Sequence, residues 1–481
     1  MSAPAETLTK REREVATAYA DGKSYRTIAD DFHISPDTVR THLRTIYRKL
    51  GVRSKLELLD HVGQRGAGGM LSARQLGDGR PSVVVLPFEN RSGNIAEQAL
   101  IDGLVERVTV TLSRADILMM IAAATGLTYR GTDRSPVAIG RELGVSYVLR
   151  GAFHRDARKL RISAELIETS TSLQIWGEVF DGAWGDIFVM QDEVAAAIAQ
   201  SIVPRIRKRE IENANRRPTN DLTAWELYCR SYHSALQFSR DGYRQAQAYA
   251  QQAIEADRDF AAPHAMLGRI NFMQMFMFDL QNAEDLVQQG LVNCREALAR
   301  DDMSETAYCG LVCTLSMIGA HDEAFAASER AIAINPNDSE VYNARAFAHA
   351  NALSGDSRLV VSDSRNALRI SPNDPMRWTF LSNIGLAQLA DDQAGDLEMA
   401  FESFRDAALS PRAAWIPSAG AALAALEMGN PAGFDTHLTL ARSVRPNLTA
   451  QDSYKAFGHA MRKSERVRRL IGELARHLPA A

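Results

Sequence analysis

Apolar residues recur at different periods along this chain, and the changes of period divide it. In SPDTVRTHLRTIYRKL, residues 35–50, Val39, Leu43, Ile46 and Leu50 fall on one stripe at 100° per residue, which predicts a helix with one buried side. Local signals frame it. Ser35 offers an N-cap hydroxyl, Pro36 takes the first helical position, where a missing N–H costs nothing, and Gly51 closes the helix. Upstream, TKRE at 9–12 has capping-box form, with Thr9 capping and Glu12 reaching back, and Gly22 ends that helix. Ser24 starts a second helix through Phe32, and SKLE at 54–57 starts a fourth. Short helices with a tight turn between the second and third predict a helix-turn-helix domain over residues 1–62.

Glycines at 63, 66, 68, 69, 77 and 79 mark 63–81 as a linker. Over 82–209 strand and helix patterns mix. PSVVVLPFENRSG is a buried strand and a turn, 97–113 is helical, ILMMIAA is a second apolar strand and VAIGRELG is a short helix. SYVLRGAFHRDARKLRISAELIET predicts a hairpin turning near Asp156 to Lys159, SLQIWGEVFDG a further strand and DIFVMQDEVAAAIAQSIVPRI a closing helix. The order β-α-β-α-β-β-β-α predicts an α/β domain, a mixed sheet with helices on one side. From 221 to 481 the pattern is helical and repeats. Pro336, Pro372, Pro411 and Pro446 end similar segments at spacings of 36, 39 and 35. The unit 304–337 is the clearest of about six in 221–447, the second being lengthened, and SERVRRLIGELARHL forms a final helix with a polar outer side. The expected fold class is therefore multidomain: an all-α helix-turn-helix domain, an α/β middle domain and an all-α solenoid.

Charge then sharpens the first domain. The chain of 481 residues carries a net charge of −4, so it is not a basic nucleic-acid binder as a whole, and any such binding needs a local patch. Arg40, Arg44 and Arg48 follow i, i+4, i+8 spacing away from the apolar stripe, with Lys49 on a third side and Asp37 as the one acid among them. A helix that follows a tight turn in a helix-turn-helix is the one that enters the major groove. Arginine's planar fork suits that place, because it pairs with guanine O6 and N7 or clamps phosphate. The alternative is a solvated basic face.

Other chemistry is thin. No apolar run approaches the roughly 18 residues of a membrane span, and MSAPAETLTKRERE has no secretory apolar core. The four cysteines fit a reducing, cytoplasmic setting, and Cys309 and Cys313, one helical turn apart, read as small buried hydrophobes rather than metal ligands. GxxxxGK[ST], GxGxxG and HExxH are absent, and GDGRPS at 77–82 lacks the phosphate-loop lysine. Glu178 and Asp181 near Trp176 read as solvated acids rather than a catalytic pair, Asn90, Arg91 and Ser92 as a plain turn, and FMQMFMF at 272–278 as core between helices. No enzyme activity, cofactor or metal is expected.

LTKREREV…GKSYRTIADDFHISPDTVRTHLRTIYRKLGVRSKLEL, residues 8–59, resembles the LuxR/GerE-type DNA-binding domain of bacterial transcription regulators. The resemblance implies binding of double-stranded DNA, with Arg40, Thr41 and Arg44 at base-reading positions and Thr38, His42, Arg48 and Lys49 nearer the phosphates. It also implies a homodimer through the fourth helix. VLPFENRSG, LGVSYVLRGAF and LRISAEL make 82–206 similar to the TolB N-terminal-like module, which implies a fold and a regulatory setting but no chemistry. The C-terminal period resembles tetratricopeptide repeats, whose concave surface implies a protein partner or the sensing of a signal. The function expected is a sequence-specific transcription regulator; a scaffold with only non-specific DNA attachment is the alternative.

Overall fold

The computed structural model describes residues 9–20, 28–29, 32–50, 79–94, 97–156, 159–183, 187–216, 222–278, 282–352, 356–392, 396–411, 413–457 and 464–479. The expected fourth helix of the first domain and residues 63–78 of the glycine-rich linker lie outside them.

In the first domain α1 (Lys10–Ala20) packs against α2 (Pro36–Leu50). Both helices start as the side chains dictate. The Thr9 N–H donates to Glu12 Oε2 (2.8 Å) and the Glu12 N–H to Thr9 Oγ1 (3.2 Å), which completes the capping box. Ser35 Oγ accepts the Thr38 N–H at 3.1 Å. The core is small: Val15, Ala16, Ala18, Ile28, Ala29, Val39, Leu43 and Ile46.

The middle domain is a mixed sheet of β1 (Ser82–Val85), β2 (Glu89–Asn90), β3 (Met119–Met120), β4 (Tyr147–Asp156), β5 (Lys159–Glu168) and β6 (Gln174–Ala183), in the order β3-β1-β4-β5-β6. β1 lies parallel to β3 and β4, whereas β4-β5-β6 is an antiparallel meander that turns between Asp156 and Lys159. β2 pairs with β4 one step beyond β1, so VVVLPFEN is a single strand track interrupted at Pro87, which has no N–H for the ladder.

Three expectations change here. ILMMIAA contributes a strand of two residues only, and its tail becomes α4 (Ala123–Leu127). Helices cover both faces of the sheet, not one. α3 (Gln98–Leu112) and α6 (Ile187–Asn215) bury the Val83 and Val85 side, while α5 (Pro136–Leu143) packs on Val84, Leu86 and Val148. Burial on both faces is why β1 reads as a continuous apolar run instead of alternating. Finally, α6 does not stop near Ile206: it passes through Pro204 and the boundary at 209 and ends at Asn215.

The remainder is six helix pairs between Ala224 and Val444. They are α7 (Ala224–Ala235) with α8 (Arg240–Ala256), α9 (Ala261–Met277) with α10 (Ala283–Arg300), α11 (Glu305–Met317) with α12 (His321–Ile334), α13 (Ser339–Asn351) with α14 (Ser357–Ile370), α15 (Arg377–Ala390) with α16 (Leu397–Ala408), and α17 (Trp415–Glu427) with α18 (Pro431–Val444). Side-chain caps recur, as at Thr223, Ser304, Asp338 and Asp396. α19 (Ala450–Ala456) and α20 (Glu465–Arg476) follow, and α20 buries Val467, Leu470, Ile471 and Leu474 against the leading helices α15 and α17.

Middle domain and repeats share one core. On α6, the Glu210 carboxylate accepts from the Tyr147 hydroxyl of β4 (2.6 Å) and from the Trp225 indole of α7 (3.1 Å). Arg209 grips Glu168 through two hydrogen bonds, and the Ser304 hydroxyl lies 3.4 Å from the Asp116 carboxylate. Gly79, with φ of +87°, brings the backbone against Trp225, where a Cβ would lie 3.2 Å from the tryptophan's.

Candidate nucleic-acid interface

The site is built on α2. Three residues of its apolar stripe are spent on the core: Val39 and Ile46 are inaccessible to solvent and Leu43 nearly so. The turn that precedes it is set by His33, whose φ of 52° is left-handed and uncommon for a residue with a side chain. Its ends are held by the Ile34 N–H donating to the Ala29 carbonyl (2.9 Å) and by the Arg11 guanidinium donating to the Phe32 carbonyl (2.6 Å). Arg11 also sits 4.4 Å over the Phe32 ring and pairs with Glu14 at 3.1 Å. Helix α1 thus clamps the turn that aims α2.

The other end of α2 is tied down by charge. Lys49 Nζ lies 2.9 Å from Glu12 Oε2, the same oxygen that accepts the Thr9 N–H. The Lys49 hydrogen bond, followed by the Thr9 N–H, holds the Glu12 carboxyl far below its usual range, at about 2. One carboxylate therefore caps α1 and fastens α2 across it.

Residues 6–62 match the family profile "Bacterial regulatory proteins, luxR family". The N-terminal domain is a luxR-type domain. Beyond it, the chain is 33% identical over 245 residues to "Putative adenylate cyclase 3" of Rhizobium meliloti (strain 1021), a match covering 51% of this chain and 42% of that protein. The chain thus spans less than half the length of that relative. Among solved structures, TolB from Acinetobacter baumannii is 15% identical, covering 26% of this chain and 29% of its own, at a TM-score of 0.20. A tetratricopeptide repeat protein from Parabacteroides merdae is 15% identical, covering 53% of this chain and 93% of its own, at a TM-score of 0.32. Scores this low add nothing beyond the strands and helix pairs described above.

Within the luxR-type domain, Thr38 and Thr41 are exposed on α2, away from the buried stripe, and His42 is half-buried. Arg40, Arg44 and Arg48 stand on the same helix, but their side chains lie outside the described residues. Lys49, expected near the phosphates, has a partner within the domain: its ammonium is engaged with Glu12, and its side chain is 18% exposed. Sequence reasoning found Glu12 as a cap and missed its second partner, since nothing local signals a contact between residues 37 positions apart.

The middle domain resolves its own candidates. Glu178 accepts from Ser201 on α6 (3.2 Å), while Asp181 pairs with Arg161 on β5 (2.7 Å). The two carboxylates thus have separate partners on different elements. Asn90 Oδ1 accepts from the Ser92 N–H (3.0 Å) and hydroxyl (2.7 Å), and the Arg91 N–H donates to the Phe153 carbonyl (2.7 Å), which ties the turn to β4. All four cysteines are unpaired thiols, and burial pushes Cys294 up to about 12. Among the described residues, no group of three or more metal-ligating side chains comes together, and no helix is long and apolar enough to cross a membrane.

Proposed function

We propose that this chain is a sequence-specific, DNA-binding transcription regulator that acts in the cytoplasm as a homodimer, that its repeat array carries its input, and that it catalyses no reaction. The observation that carries this reading is the way α2 is held in a luxR-type domain: Val39, Leu43 and Ile46 are spent on the core, its ends are fixed by Ser35 and Glu12, and Thr38 and Thr41 are at the surface. A helix so presented can lie in a major groove, with Arg40, Thr41 and Arg44 toward the bases and Thr38, His42 and Arg48 toward the phosphates. Lys49 supports the reading in another role, as a fastener of that helix.

The test is selection of preferred duplexes from a random pool by the full chain, followed by the same measurement with Arg44→Ala. Specific reading predicts an enriched motif and a loss of about 1–3 kcal/mol confined to it. No enriched motif, or a small loss spread evenly over all sequences, would favour the scaffold with non-specific attachment.

A further inference from the structure

The inner side of the repeat array is drawn together. Phe276 of the second pair stacks with Trp378 of the fifth, with ring centroids 6.4 Å apart. Arg445, at the end of the sixth pair, reaches the Met277 carbonyl at 3.5 Å, and the cavity left between the helices is about 90 Å³. A groove of about 860 Å³ opens instead on the middle domain. That is within the size range of small-molecule clefts.

Its place follows from the topology. The chain passes from β1 to β3 on one side and then to β4 on the other, so the strand order reverses at β1. Open α/β sheets hold ligands at the carboxyl ends of the strands where the order reverses. There the groove is walled by the turn 89–91 beyond β1 and by residues 129–134 beyond α4. Its floor is formed by β4, β5 and β6, where Ala152, Ser163 and Gly177 are small enough to let a ligand approach the strands.

The charges around it are uneven. Guanidiniums line it from three segments: Arg91, Arg130 with Arg134, and Arg150. Among the described residues, Arg130, Arg134 and Arg150 each engage a carboxylate through one nitrogen, which leaves most of the five N–H donors of each unused. The partners of Arg130 and Arg134 are Asp102 and Glu142, and both stand outside the lining. Glu178 lines the groove but is turned to Ser201 on α6, which packs on the opposite face of the sheet. The carboxylates left to face four guanidiniums are Glu89, Asp133 and Glu165. α3 adds to the surplus, since it begins at the groove with Gln98 and has neither a side-chain cap nor an acid in its first turn to offset its dipole.

We infer that this groove binds a small polar molecule carrying an oxyanion, a phosphate or a carboxylate, held by the guanidiniums of Arg91, Arg130, Arg134 and Arg150. The planar guanidinium fork matches both groups. The ion pairs already present are exposed at the surface, so they hold weakly and yield to a ligand that offers a better acceptor. A bound oxyanion would tie the turn beyond β1 to the segment after α4 and to β4. The site gives the middle domain an input of its own, beyond the DNA-binding reading and independent of it.

The test is titration of the full chain with glucose 6-phosphate, gluconate and glucose at constant ionic strength, followed by hydrogen exchange. The three probes share a sugar body and differ in the charged group. At about ten times the dissociation constant, amides of residues 89–91 and 129–134 should exchange about tenfold more slowly with at least one anion and be unaffected by glucose. Which anion acts distinguishes phosphate from carboxylate. Arg130→Ala combined with Arg134→Ala should weaken that binding by about tenfold or more. Both side chains are exposed, at 44% and 58%, so their removal leaves the core intact. Ser163→Trp fills the floor and should abolish the effect; should it fail to fold, the arginine variant decides alone. Three results would each overturn the proposal: slowing by glucose equal to that by the anions, no saturable slowing by either anion with a dissociation constant below about 10 mM, or anion binding unchanged in the arginine variant. Duplex binding measured on the same preparations shows separately whether the DNA reading holds.

Discussion

Lys49→Met separates two roles that a lysine at the end of a DNA-facing helix can play. The change keeps the aliphatic stem and removes the ammonium that lies 2.9 Å from Glu12, in a pair whose side chains are 18% and 8% exposed. The Glu12 carboxyl falls from its ordinary 4.5 to about 2, and at 1.36 kcal/mol per decade all its partners together are worth about 3 kcal/mol. Lys49 is the largest of those partners, and solvent near so small a domain discounts the total. Its removal should therefore destabilise the luxR-type domain by about 1–2 kcal/mol. Hydrogen exchange of the full chain reads this directly. Amides of residues 10–20 and 36–50 should lose protection by about 5- to 30-fold, while those of the repeats stay unchanged. The slope of log affinity against log salt for duplex DNA should stay as in the wild type. Unchanged protection together with a slope lowered by about 1 would refute the reasoning and return Lys49 to the phosphates.

Two further outcomes follow from packing and charge elsewhere. Gly126→Ala would place a Cβ 2.1 Å from the Val85 carbonyl oxygen, so it should force α4 off β1 and lower the unfolding free energy of the middle domain by about 1–3 kcal/mol or more in urea titration. His264, His349 and His437 are held below the ordinary histidine range chiefly by burial, so each stays neutral in the fold while the unfolded chain takes up a proton. Stability should thus be level above about pH 7 and fall as pH drops through about 6.5, with thermal unfolding of the array showing the loss. A melting temperature that rises on acidification through that window would contradict this.

What the sequence disclosed was what neighbouring residues decide among themselves. The Thr9–Glu12 box, the Ser35 cap, the hairpin turn between Asp156 and Lys159 and the capped repeat starting at Ser304 all depend on groups within a few positions of one another. The six helix pairs were readable for the same reason, since each pair carries its own signals. Misreadings arose where partners are distant. ILMMIAA has the apolarity of a strand, but β1 offers it only two paired residues. The α6 helix outruns its expected end because Glu168, Tyr147 and Trp225 await Arg209 and Glu210. FMQMFMF was expected to be core, and Met273, Met275 and Met277 are buried, yet Phe272 and Phe276 also line a cavity completed by residues up to Phe457. At the candidate DNA interface, the spacing showed which side of α2 is core but not that Lys49 would be diverted to Glu12.

Helical repeat arrays ordinarily grow and shrink by whole units, because each unit touches only its neighbours. Contacts such as Phe276 with Trp378 and Arg445 with Met277 remove that freedom here. Contacts from the second pair to the fifth and to the end of the sixth fix the number of units between them: deleting or duplicating one of those pairs would break them. This array has in effect become a domain of set size, and its units can no longer be traded one at a time.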